Sequence, residues 1–373
     1  MRTVAESPQK KLAVLCSFSG DGGVERIVKL LCAELAKSVQ VDLLTMRMQG
    51  AHASGFPDNV NLVQLKARHS ATVVRELARY LATAKPDVLL AAKDRAGRAA
   101  LRARQRAGSA TPVWLQIHSN LSAALEGKSA LRRWWRRLPM RRAYPLAAGV
   151  ICVSEGVRQD VIKLSGLPAE RVHAIYNPVI SVDIERLAAG PVPHEWLLRE
   201  RSLPVVIGIG RLTRQKDFAT LIQAFALMQS QRDCRLVLLG DGAEREALQR
   251  CVEQLALGDR VLFAGFQANP YAWLARADVF ALSSAWEGSP TVLAEALALG
   301  VPCVSTRCPS GPEEMLANGR YGPLVEVGDA AALAQALVQT LAAPLPPPVL
   351  RAAVAEYHAD VSARRYLQKL GLS

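Results

Sequence analysis

The feature that most constrains this chain is an alternation of short, β-branched apolar runs with amphipathic segments along almost its whole length. This alternation is typical of parallel sheets covered by helices on both faces. We predict strands at 12–18, 39–45, 88–91, 113–117, 150–153 and 172–176, and again at 205–209, 235–239, 261–264, 279–283 and 302–306. A glycine turn follows the first strand, and a helix with apolar residues at helical spacing follows that turn.

The chain is too long for one ordinary core, since it has 373 residues of which 50% are hydrophobic. The alternation loosens after Pro178, where Pro191, Pro193 and Pro204 interrupt it, and then restarts. We therefore expect an α/β protein of two doubly wound, Rossmann-like domains, 1–180 and 181–373, facing a central cleft. A proline-rich joint at 343–348 precedes a predicted last helix, 349–370, which is expected to pack back on the first domain.

Positive charge is concentrated in the first half of the chain. Residues 1–182 hold 28 Lys and Arg against 13 Asp and Glu, and the segment 93–142 alone holds 13 against 2. Such a cluster can contact nucleic acid, an anionic membrane or only solvent. We predict an anionic membrane surface, because indole rings suit a headgroup interface and guanidinium groups suit lipid phosphates. No nucleic-acid-reading module is recognisable. The residues predicted to meet the membrane are Arg132, Arg133, Trp134, Trp135, Arg136 and Arg137.

Two further features bear on location. No stretch approaches the roughly 20 apolar residues that a spanning helix needs, and no signal peptide is recognisable at the N-terminus. The seven cysteines are scattered and contain no C-x-x-C, which favours reduced packing residues over disulfides or a zinc site. We expect a cytoplasmic protein that is peripheral on the inner face of the plasma membrane.

A first candidate site is the loop after the strand 205–209. Arg211 and Lys216 lie between that strand and a helix for which Asp217 is a plausible N-cap. Two cations beside a helix N-terminus suit a diphosphate and can neutralise charge on a departing nucleoside diphosphate without a metal. A surface loop can also hold such a pair without any function.

A second candidate site surrounds the helix that follows the strand 279–283. Ser289 is predicted to cap this helix and Pro290 to occupy its first turn, with Glu287 before it and Glu295 inside it. The carboxylates could hold sugar or ribose hydroxyls while the helix N-terminus meets a phosphate. The alternative is an exposed loop glutamate and a solvent-facing helical one.

The order and spacing of four segments in 205–340 resemble the donor domain of retaining GT-B enzymes of glycosyltransferase family 4. These segments are GRLTRQKDF at 210–218, LVLLGDG at 236–242, VLFAGF at 261–266 and EGSPTVLAEALALGVPCVST at 287–306. The first half matches more thinly, at 22–25, 117–120 and 152–155. The stretch 308–314 resembles a subgroup that builds bacterial surface polysaccharides and lipid-linked oligosaccharides.

The resemblance implies a role for each matching residue. Arg211 and Lys216 would bind the donor diphosphate, Glu295 the ribose and Glu287 the donor sugar, and His118 would lie near the sugar and the acceptor. The backbone at Ser289, Pro290, Thr291 and Val292 would meet the distal phosphate, and Asp241, Gly242 and Phe266 would flank the base. Gly22 and Gly23 would let the first loop approach the pyrophosphate closely.

The expected activity is therefore metal-independent, retaining transfer of a hexose or N-acetylhexosamine to a growing lipid-linked glycan. The resemblance implies a nucleotide sugar as the donor, with a UDP-sugar as the expected form. No cofactor and no nucleic-acid partner are expected. Two rivals remain open at this point: a nucleotide-sugar epimerase of the same shape, and a non-catalytic, nucleotide-regulated membrane-binding protein.

Overall fold

The computed structural model describes residues 9–19, 23–49, 54–67 and 72–373. The chain divides into two compact units: the first unit is Met1–Pro178 with Ala359–Ser373, and the second unit is Val179–His358. No helix in these ranges is both long and apolar enough to cross a membrane.

The first unit is built on one parallel sheet, which has seven strands in the described part of the chain. In chain order they are β1 (Lys11–Ser19), β2 (Gln40–Gln49), β3 (Val60–Gln64), β4 (Val88–Ala92), β5 (Val113–Ile117), β6 (Gly149–Cys152) and β7 (Val172–Ala174). Their spatial order is β3-β2-β1-β4-β5-β6-β7. The helices between them are α1 (Gly23–Leu35), α2 (Val74–Ala84), α3 (Asp94–Ala107), α4 (Ala130–Ala143) and α5 (Glu155–Ser165).

Both faces of this sheet are buried. Alternate residues of β1 point to opposite faces, so that Leu12 and Val14 belong to one core cluster and Ala13 and Leu15 to another. A strand buried on both faces reads as an unbroken apolar run, which is why the sequence predicted β1 and β4 so closely.

The second unit repeats this design, with a parallel sheet of six strands in spatial order β10-β9-β8-β11-β12-β13 within the described residues. The strands are β8 (Val205–Ile209), β9 (Arg235–Leu239), β10 (Val261–Gly265), β11 (Val279–Leu282), β12 (Cys303–Thr306) and β13 (Leu324–Val325). The helices are α6 (Ile184–Ala188), α7 (Phe218–Gln229), α8 (Arg245–Gln254), α9 (Tyr271–Leu274), α10 (Thr291–Ala298), α11 (Pro312–Met315), α12 (Ala330–Ala342) and α13 (Pro347–Ala352).

The structure differs from the sequence prediction in three elements. The strands β3 and β13 were not predicted, because β3 buries only Val60 fully and β13 has two residues. The last helix, predicted as 349–370, is divided into α13, a 3₁₀ turn at Ala355–Tyr357 and α14 (Ala359–Leu370). His358 separates them because its backbone is extended, with φ −66° and ψ 140°. Helix α14 packs with α1 on one face of the first sheet, where Tyr366 is fully buried.

In each sheet the strand order reverses between two neighbouring strands, β1 and β4 in the first and β8 and β11 in the second. At such a point the loops leaving the carboxyl ends diverge to opposite faces, and the crevice between them is the usual ligand site of open α/β sheets. Both candidate sites predicted in the second half follow β8 and β11.

Candidate functional site

Backbone hydrogen bonds join the loops at the carboxyl edge of the second sheet. They run from Leu212 N to Asp241 O (2.9 Å), from Gly240 N to Gly265 O (2.8 Å), from Ala285 N to Gln215 O (2.8 Å) and from Glu287 N to Pro309 O (3.2 Å). The predicted base-flanking residues Asp241, Gly242 and Phe266 therefore lie on connected loops, and the ring of Phe266 is 53% exposed.

Lys216 and Glu287 form an ion pair where the order of the second sheet reverses. Lys216 Nζ donates to Glu287 Oε1 at 2.5 Å, and Ser284 Oγ donates to the same oxygen at 2.7 Å. The side chains are 18% and 7% exposed, so both charges are largely withdrawn from water. The exposed loop glutamate of the alternative interpretation is thus a buried, oriented carboxylate with one oxygen committed to the lysine.

Glu295 is also buried, at 3% exposure, on the side of α10 that faces the protein. Its Oε1 accepts a hydrogen bond from the hydroxyl of Tyr271 in α9 at 3.3 Å. Carboxylates are almost never fully buried unless they are paired, so two buried ones, before and within α10, indicate a site rather than a solvated surface.

The start of α10 differs from the prediction. The helix begins at Thr291, and Pro290 is its cap residue with an extended ψ of 98° and no side-chain cap bond. Ser289 therefore stands one residue too far upstream to cap, and within the described residues its buried Oγ has no hydrogen-bond partner. Gly311, at φ +105°, packs on this turn so closely that a Cβ would lie 2.5 Å from Pro290 Cδ. Thr291 and Val292 open the helix, where N–H groups lack intrahelical acceptors.

Arg211 differs from Lys216 in its surroundings. Its side chain is exposed, and within the described ranges it forms no ion pair with a carboxylate. The structure therefore holds the lysine in place through Glu287 and leaves the arginine available to a ligand anion.

The first sheet carries a second ion pair at its own reversal point. Lys93, directly after β4, donates to Glu25 Oε1 of α1 at 2.8 Å, and Glu25 is 5% exposed. Lys93 has φ +78°, a backbone conformation that non-glycine residues rarely adopt. Of the predicted glycines, Gly23 is the first residue of α1, and Gly22 lies outside the described residues.

His118 follows β5 beside this pair. Burial, and then the positive charge of Lys93, lower the pKa of His118 to about 3, so its imidazole is neutral at neutral pH. Its Nε2 is buried and has no hydrogen-bond partner among the described residues. A buried, unpartnered nitrogen costs free energy, which a hydrogen bond with a ligand would recover.

The six residues predicted to meet a membrane all lie on α4, and the structure separates them into three groups. Arg133, Trp134 and Arg137 line a groove in the first unit, whereas Arg132 and Trp135 do not. Trp135 is 61% exposed. Arg136 lines only a smaller cavity nearby.

Sequence reasoning missed the residues that hold the predicted ones in place. Ser284 and Tyr271 orient Glu287 and Glu295, and hydroxyl groups of this kind give no local signal. Lys93 could have been found, because it lies in the loop after the predicted strand 88–91, and most of the other candidates were likewise chosen from loops after predicted strands. No group of three His, Cys, Asp or Glu side chains in the described ranges could hold a metal ion.

Two family models match the chain: Glycosyl transferases group 1 over residues 203–343 and Glycosyltransferase Family 4 over residues 21–181. Together they match more than half of the chain, one in each unit. The chain belongs to the group 1, family 4 glycosyltransferases, and the sequence-based identification is confirmed.

Known proteins agree with this assignment. The chain is 27% identical over 339 residues to N-acetylgalactosamine-N,N'-diacetylbacillosaminyl-diphospho-undecaprenol 4-alpha-N-acetylgalactosaminyltransferase of Campylobacter jejuni, covering 88% of this chain and 89% of that protein. Two solved structures each have a TM-score of 0.74 and cover 97% of this chain and 99% of the other. They are the lipopolysaccharide outer core galactosyltransferase WaaB, 19% identical, and Anabaena Alr3699/HepE in complex with UDP and glucose, 21% identical. The predicted GT-B fold is confirmed.

Proposed function

We propose that this glycosyltransferase moves a hexose or N-acetylhexosamine from a UDP-sugar to a lipid-linked glycan in cell-surface polysaccharide synthesis, with retention of configuration and without a metal ion. The observation that carries the proposal is the buried Lys216–Glu287 pair where the second sheet reverses its order. The similar HepE structure contains UDP and glucose, and the similar Campylobacter enzyme is named for a diphospho-undecaprenol acceptor.

Each side chain has a role in this proposal. Lys216 and the exposed Arg211 bind the diphosphate, Glu287 accepts hydroxyl hydrogens of the sugar, and Glu295 accepts those of the ribose. Lys216 thus joins the two halves of the donor, because the same ammonium group touches the phosphate and holds the sugar-binding carboxylate. Phe266, with its exposed ring, offers a stacking face for the base.

The proposed reaction breaks the bond between the anomeric carbon and the phosphate oxygen on the same face on which the acceptor hydroxyl attacks. The acceptor oxygen bonds to the anomeric carbon, and its proton passes to the departing phosphate oxygen. Lys216 and Arg211 stabilise the charge that develops on the diphosphate. Burial raises the pKa of Cys308, the thiol near Glu287, to about 12, so this thiol is protonated and does not serve as a nucleophile.

A scan of nucleotide sugars tests this function. UDP-hexoses or UDP-N-acetylhexosamines are expected to raise the melting temperature by about 5 °C or more at saturating concentration, whereas GDP- and TDP-sugars are not. With a lipid-linked acceptor, UDP release should rise and the new linkage, read by NMR, should keep the donor's anomeric configuration. Stabilisation by GDP-sugars alone, or rearrangement of the donor sugar without an acceptor, would contradict the proposal.

We further propose that α4 places the first unit on an anionic membrane. Its side chains that do not line the groove include Leu131 and Trp135, which are 65% and 61% exposed and lie among the arginines of the same helix. Replacing both by serine should lower binding to anionic vesicles about tenfold or more, because two large apolar contacts are lost. The matched control is Leu62→Ser/Leu146→Ser, which removes two exposed leucines elsewhere in the unit. If the two variants sedimented equally with anionic vesicles, the proposal that α4 contacts the membrane would be wrong.

A further inference from the structure

A groove of about 520 Å³ lies in the first unit, between α4, α5 and the 3₁₀ turn Ala123–Leu125. It is separate from the reversal point of the sheet, where Glu25, Lys93 and His118 lie. Its size falls within the range of small-molecule sites.

Four cations line this groove. Arg133, Arg137 and Arg141 stand on successive turns of α4, and Lys163 comes from α5. Within the described residues none of them is paired with a carboxylate, and Arg141 Nε donates to the backbone oxygen of Leu164, at 3.3 Å. Like charges one helical turn apart repel each other, so this ladder destabilises the free helix and would be stabilised by a bound polyanion.

The rest of the lining is largely apolar. Leu125, Leu138, Leu164 and the indole of Trp134 contribute to it. Trp134 is 52% exposed, and burial of its ring by a ligand would be favourable. Cations alone would suit a free phosphate, but the apolar walls beside them suit a phosphate that carries a hydrocarbon chain.

We propose that this groove binds the diphosphate end of the lipid carrier, with the diphosphate on the arginine ladder and the first carbons of the chain against Leu125, Leu138 and Trp134. The inference rests on the proposed function, in which the acceptor is lipid-linked. Four cations without carboxylate partners in the described structure match a diphosphate better than the single charge of a phospholipid diester. Arginine suits phosphate because its donors bind two oxygens together.

Binding of geranyl diphosphate to the full chain, measured by calorimetry, tests this assignment. The variant Arg133→Gln/Arg141→Gln removes two charges from the groove. The matched control, Arg102→Gln/Arg142→Gln, removes two charges from exposed positions of α3 and α4 that do not line it. The groove variant should bind at least about tenfold more weakly than wild type, because it loses charge-assisted hydrogen bonds to the diphosphate, and the control should bind as wild type does.

Two further ligands test which part of the lipid diphosphate the groove recognises. Inorganic diphosphate and short-chain phosphatidylglycerol should each bind at least about tenfold more weakly than geranyl diphosphate, since the first has no hydrocarbon chain and the second carries only a single negative charge. The proposal is overturned if either binds as tightly, if wild type does not bind geranyl diphosphate, or if both variants lose equal affinity. Melting curves confirm that each variant is folded.

Stabilisation of the wild type by UDP-sugars separates this inference from the proposed function. Geranyl diphosphate binding without any stabilisation by UDP-sugars would support the groove and count against sugar transfer. Stabilisation by UDP-sugars without binding of geranyl diphosphate would support sugar transfer and count against the groove as the diphosphate site.

Discussion

Replacing Lys216 by alanine is expected to lower the turnover of sugar transfer at least about 100-fold, which is the scale of losing one charge that stabilises the transition state. The change also leaves Glu287, 7% exposed, without its cationic partner, so the carboxylate is no longer held for the sugar. The measurement is the turnover number with saturating UDP-sugar and lipid-linked acceptor.

The control for this prediction lies on the same loop. Arg214 is 88% exposed, and its nearest carboxylate oxygen among the described residues, on Glu244, is 4.0 Å away. Arg214→Ala removes an equal charge from the loop and should change turnover less than about twofold, because exposed pairs contribute little. If Lys216→Ala kept more than about a tenth of wild-type turnover, or if both variants lost the same, Lys216 would not be the charge that acts.

Replacing Gly240 by alanine is expected to lower the free energy of unfolding of the second unit by about 3 kcal/mol or more. Gly240 has φ +129°, and a Cβ there would lie 1.9 Å from the backbone oxygen of Gly210. Neither backbone segment can move alone, because Gly210 N donates to Leu239 O at 2.9 Å. The substitution would separate the loop of Arg211 from that of Asp241, so UDP-sugar stabilisation should fall as well.

Gly328 provides the comparison for this prediction. It also has a positive φ, +80°, but apart from its own two chain neighbours no described residue has an atom within 4 Å of the position that a Cβ would take. Gly328→Ala should therefore cost only the backbone strain of about 1–2 kcal/mol and leave UDP-sugar binding as in wild type. Chemical denaturation of both variants measures the free energy of unfolding. Equal losses of this free energy would mean that the close approach of Gly240 to Gly210 does not contribute to stability.

Both sheets have a lysine–glutamate ion pair at the point where their strand order reverses. In each sheet the lysine and the glutamate come from segments far apart in sequence. The pairs are Lys216 with Glu287 and Lys93 with Glu25, at 2.5 and 2.8 Å. In each pair the glutamate is nearly buried while the lysine is more exposed, so the carboxylate fixes a cation that can still reach a ligand. The second pair lies beside neutral His118, whose Nε2 is unpartnered in the described structure.

Most strands could be predicted because their burial on both faces leaves a local signal. The runs at 113–117, 205–209 and 235–239 coincide with β5, β8 and β9. The prediction was wrong where that signal is absent: at β3, which is largely exposed, at the two-residue β13, and at the break before α14. It was wrong about the Ser289 cap because the extended backbone of Pro290 shifts the helix start by one residue.

By itself, the sequence determined the class of fold, the family and the loops in which the candidate residues lie, because apolar periodicity and motif spacing are local properties of the chain. Only the tertiary structure decided which of those residues meet. Lys216 and Glu287 are 71 positions apart and Glu25 and Lys93 are 68 apart, and each pair forms because strands that are not consecutive in the chain become neighbours in the sheet. Burial also depends on the tertiary structure. Glu295 is withdrawn from water because parts of the chain distant in sequence pack over it, and its own segment does not show this.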